Sequence, residues 1–76
     1  MTTETRFVTI GLRSGIMHHV DADPATLEKL MGDWRSALRK RPEEPVRSYR
    51  LLHHGSGNPC DFMVDITAIE TLTIYP

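Results

Sequence analysis

The stretch "DADPATLEKLMGDWRSALRKR", Asp21–Arg41, decides how this chain is read. Asp23 precedes Pro24, and that pair reads as a helix N-cap followed by a proline at the first helical position, where the missing N–H costs nothing. Leu27, Leu30, Met31, Trp34 and Leu38 then fall on one face of a 3.6-residue period. Glu28, Lys29, Asp33, Arg35, Ser36 and Arg39 cover the other face. Arg39, Lys40 and Arg41 gather where the helix dipole favours cations, and Pro42 stops the helix. The spacing predicts one amphipathic helix over about 24–40. Gly32 sits inside it at a cost of about 1 kcal/mol relative to alanine.

The residues on either side read as strands. "RFVTIGL", Arg6–Leu12, is β-branched and aromatic. "RSG" is a turn signal, and "IMHHV", Ile16–Val20, forms the second arm of an antiparallel hairpin. Beyond the polar connection of residues 41–45, "VRSYRLLHH", Val46–His54, reads as a third strand. "GSGNP", Gly55–Pro59, is a hairpin tip. It joins two strands, and a phosphate-binding loop needs a helix after its glycines. Cys60, Phe62, Val64 and Ile66 then alternate with Asp61, Met63 and Asp65, the pattern of a half-buried strand. The run to Tyr75 is too long for one undisturbed strand, which places a turn or bulge near Asp65–Ala68.

The order is therefore β-β-α-β-β with the last element split in two. This is an α+β domain: an antiparallel sheet of four or five strands with one helix packed on one face. All 76 residues form one small domain, with residues 1–5 frayed. The helix stripe is expected to cover Val8, Ile10, Leu12, Phe62 and Val64. The opposite face is then left open, with Met17, Tyr49, Leu51 and Met63 as candidates to stand on it. A chain this short builds a thin core, and oligomerisation is a common support. An uncovered apolar sheet face marks a partner surface. The expected partner is a second copy, in a dimer or ring joined through that face or through a sheet edge, with another protein as the further candidate.

Composition narrows the function. The net charge is −1 and the pI about 6.4, which is unlike a strongly basic nucleic-acid binder. No apolar run approaches the ~20 residues of a membrane span. "MTTETRF" lacks the basic start and apolar stretch of a signal peptide, so the expected address is the cytoplasm. Cys60 is the only cysteine and cannot pair within the chain. It reads as a small core residue rather than a nucleophile. No cofactor motif and no catalytic set stand out.

Two further readings use specific residues. All four histidines lie in two pairs, His18/His19 and His53/His54. Neighbours on a strand point to opposite faces, so neither pair can chelate a metal by itself. One histidine from each could meet if strands two and three are adjacent. Asp21, Asp23 or Asp61 would then complete an N/O ligand set suited to zinc or another transition metal. The other reading joins the helix-end residues Arg39 and Lys40 to Arg47 and Arg50 of the third strand. With Tyr49 as a stacking side chain, they would form a patch for single-stranded nucleic acid.

The segment "DFMVDITAIETLTIY", Asp61–Tyr75, resembles the end of Sm-like small β-barrels: a strand, a polar turn, an Ala-Ile step and a last strand. The resemblance covers about a fifth of the chain. In that family the helix comes first, whereas here it follows the second strand. No site residue is carried over.

Overall fold

The computed structural model describes residues 4–76. Five antiparallel strands form one sheet: β1 (Arg6–Leu12), β2 (Met17–Ala22), β3 (Val46–His53), β4 (Pro59–Asp65) and β5 (Ile69–Ile74). One helix, α1 (Pro24–Arg39), joins β2 to β3, and a short 3-10 turn, Ile66–Ala68, joins β4 to β5. Glu4 and Thr5 are exposed and carry no regular structure; the rest of the expected frayed start lies outside the described residues.

The order across the sheet is β4-β3-β2-β1-β5. This order forces the sheet to curl. Its two edges are β4 and β5, which would stand roughly 19 Å apart in a flat sheet of 4.8 Å spacings. The connection from Asp65 to Ile69 spans at most about 14 Å even when extended. The 3-10 turn therefore pulls the edges together. Ile66 N–H donates to the Pro45 carbonyl and Arg13 N–H to the Ala68 carbonyl, both at 2.9 Å, so each end of the turn is tied to one side of the curl. Asp65 accepts from the amide and hydroxyl of Thr67 and fixes the start of the turn.

The concave side holds the core. Val8, Ile10, Val20, Ala22, Tyr49, Leu51, Val64, Ile66 and Ile69 are buried there with Leu27 and Leu30 of α1. Each fully buried aliphatic side chain contributes about 1.5–3 kcal/mol. Asp23 caps α1 by accepting from the Thr26 amide at 2.7 Å. Two polar bonds set how the helix sits. The Trp34 indole donates to the Ile69 carbonyl at 3.1 Å, and the Tyr49 hydroxyl donates to Asp33 at 2.7 Å.

Three sequence expectations need correction. Tyr49 and Leu51 are core residues, 2% and 1% exposed, rather than residues of the open face. They stand opposite Phe62 and Cys60, which fixes them on the concave side. The adjacent leucines at 51 and 52 fit either phase of β3, and it is Leu52 that turns outward. Leu38 does not join the helix stripe; it is 61% exposed, because the buried stripe runs through Leu27, Leu30, Trp34 and Ala37 and leaves Leu38 beside it. The second strand starts at Met17 and runs to Ala22, leaving Ile16 in the turn.

Candidate interaction surface

Strand register builds the convex face in rows. Tyr75, Phe7, Asp21 and Leu52 lie across it from β5 to β3. Beside them run Thr73, Thr9 and His19, and then Thr71, Gly11 and Met17. Gly11 makes room for Thr71: a methyl at this position would overlap the Thr71 hydroxyl, which would have to rotate away.

The first row is a stack. Phe7 lies between His54 and Tyr75, with ring centroids 4.0 and 4.8 Å away and planes 22° and 17° from parallel. His54 Nδ1 lies 3.1 Å from an Asp21 carboxylate oxygen. His19 stands at 6.0 Å from Phe7, its Nδ1 3.1 Å from the Thr9 hydroxyl. Thr9 is 2% exposed although it faces away from the helix. The middle of the convex face is thus sealed by the chain's own side chains.

Strands β2 and β3 are neighbours, and one histidine from each pair does reach the same face. His19 and His54 share the convex side with Asp21. His18 packs edge-on to Phe62 on the other side, at 5.1 Å, and His53 is exposed. Of the candidate acids, Asp21 meets His54, Asp23 caps the helix and Asp61 pairs with Arg50 at 3.2 Å. Among the described residues, no three metal-ligating side chains converge. Cys60 is half-buried and packs against the core.

The basic residues do not share a face. Arg47 stands opposite Val64 and its Nε donates to the Glu44 carbonyl, whereas Arg50 stands opposite Asp61 and pairs with it. Lys40 ends the helix, following Arg39. Tyr49, the proposed stacking partner, is buried against Asp33.

Exposed apolar side chains remain at two separate places. Ile16 and Met17, 56% and 54% exposed, continue the row through Gly11 to Thr71 on β5. Val46 and Met63, 57% and 70% exposed, lie on the β3–β4 side.

The two sheet edges differ. Edge β4 starts at Pro59 and carries Asp61 and Asp65, the charges and proline that discourage further pairing. Edge β5, "IETLTI", has Glu70 as its single charge. Tyr75 N–H donates to the Phe7 carbonyl at 3.0 Å. By antiparallel alternation the amides of Thr73 and Thr71 also turn to β1, and those of Leu72 and Ile74 turn outward. Among the described residues they meet no strand, because β5 pairs there on one side only.

Sequence reading passed over Phe7 and Tyr75, and it offered a sheet edge as interface without saying which one. The phase of β1 carried a signal for Phe7, since Val8 and Ile10 face the core and leave Phe7 on the other side. Tyr75 joins it only through β1–β5 pairing, which no local pattern announces. Among the described residues, no helix is long and apolar enough to cross a membrane. No family model, curated protein or solved structure matches the chain.

Proposed function

We propose that this protein is a self-associating interaction module, and that two copies join by antiparallel pairing of β5 with β5 in one continuous sheet. The observation that carries this reading is that, among the described residues, β5 is left unpaired on its outer side from Leu72 to Ile74, beyond the Ile69 carbonyl that Trp34 covers, whereas β4 is a protected edge. A two-fold axis midway between the paired strands sets threonines of one copy beside threonines of the other. Cross-strand threonine pairs contribute roughly 0.2–1 kcal/mol each. Met17 stands on the same face in the row Met17–Gly11–Thr71, two strands in from β5, and adds exposed apolar surface to that face. A domain with so thin a core gains from a partner.

Light scattering over a range of concentrations tests the reading. Wild-type protein is expected to gain mass with concentration toward twice the 8.7 kDa chain. Replacing Thr71 and Thr73 together by lysine places charges on the edge and is expected to leave a monomer of unchanged secondary structure. A wild-type protein that stays monomeric at millimolar concentration contradicts the proposal.

A further inference from the structure

We infer that the groove between α1 and the start of β1 binds a small monocarboxylate with an apolar body. The groove is open to solvent, offers about 440 Å3 and is lined by Pro24, Leu27, Met31 and Gly32, with Arg6, Arg35 and Glu28 around it. That volume lies within the range of small-molecule sites.

Two features of the groove support this assignment. The first is charge. Arg6 and Arg35 come from different elements and border one apolar space, and among the described residues neither has an ion pair. Guanidinium groups match carboxylates in geometry and charge. Glu28 also borders the groove, whose three charged side chains sum to one positive charge. The remaining single positive charge suits a monoanion better than a phosphate dianion.

The second is Gly32. Among the described residues, a methyl added there meets no atom within 4 Å, so no close approach between them accounts for a glycine in mid-helix. It forms part of the groove wall, and a larger side chain would take up the space that a ligand needs. The inference does not rest on β5 pairing, since none of the lining residues belongs to that strand.

The test is an NMR titration of isotope-labelled full-length protein with octanoate, repeated with octylamine. Saturable shifts are expected at Arg6, Glu28, Gly32 and Arg35 with octanoate, and binding at least tenfold weaker with octylamine. Gly32→Leu is expected to weaken octanoate binding tenfold or more while raising the melting temperature. Arg6→Gln combined with Arg35→Gln is expected to weaken it as much and supplies the test if Gly32→Leu does not fold. Absence of saturable shifts in wild type overturns the inference. So does equal binding of octylamine, or octanoate affinity that survives both the leucine and the double-glutamine changes.

Discussion

Phe7 is stacked on His54, ring centroids 4.0 Å apart and planes 22° from parallel, although 47 positions separate them in the chain. Only the β1-β2-β3 neighbourhood brings them together. With Tyr75 on its other side, Phe7 fastens three strands on the face that α1 does not cover. Phe7→Ala is expected to destabilise the protein by about 2 kcal/mol, less than a fully buried phenylalanine because the ring is half-buried. Urea denaturation measures it, and a loss below about 0.5 kcal/mol would remove the stack from the account.

The fit of Gly11 under Thr71 gives a second expectation. Gly11→Ala is expected to cost about 1–2 kcal/mol through overpacking. Thr71→Ala removes the overlapping hydroxyl, so the double substitution is expected to lose less than the sum of the single ones. Strict additivity in denaturation measurements would show that the two positions do not compete for space.

Tyr49 ties β3 to α1 through Asp33, and its environment predicts alkaline sensitivity. Burial, then the hydrogen bond and charge of Asp33, push the phenol above its usual range. The neutral form is the one the fold favours. This contribution is whole below the unfolded value near pH 10 and is lost as pH rises through the higher folded value. Tyr49→Phe is expected to lower stability by about 1 kcal/mol at pH 7 and to flatten the alkaline limb of the denaturation profile. A variant with an unchanged alkaline limb would remove Tyr49 as its cause.

Two carboxylates predict the acid limb. Thr26 holds Asp23 below the usual carboxylate range through hydrogen bonds from its side chain and then its amide, and Thr67 does the same for Asp65. A lowered folded value means that the contribution is present above about pH 4 and is lost as pH falls through that value. Asp23→Asn with Asp65→Asn is expected to reduce the loss of stability between pH 5 and pH 3 in denaturant titrations. An acid limb as steep as in wild type would contradict it.

Local patterns carried much of this architecture. The Asp23-Pro24 start, the leucine spacing and Pro42 bounded α1 closely, and the excess length of Cys60–Tyr75 located the break now seen at Ile66–Ala68. The strand-turn-strand ending read from Asp61–Tyr75 is present as β4, a 3-10 turn and β5. The face of β3 was not legible, because consecutive leucines at 51 and 52 satisfy both phases. The curl was not legible either, since it follows from β5 pairing with β1 at the far edge from β4. That same long-range pairing makes the Phe7–Tyr75 contact and leaves the amides of Leu72 and Ile74 facing outward.

Those two amides give the most direct test of pairing through β5. Hydrogen exchange followed by NMR at several protein concentrations reads them one by one. If β5 pairs with its copy, Leu72 and Ile74 exchange slowly in concentrated protein and accelerate on dilution, while Thr71 and Thr73 stay protected by β1 throughout. Fast exchange of Leu72 and Ile74 at every concentration, with Thr71 and Thr73 protected, would mean that the edge stays open and the proposed assembly does not form.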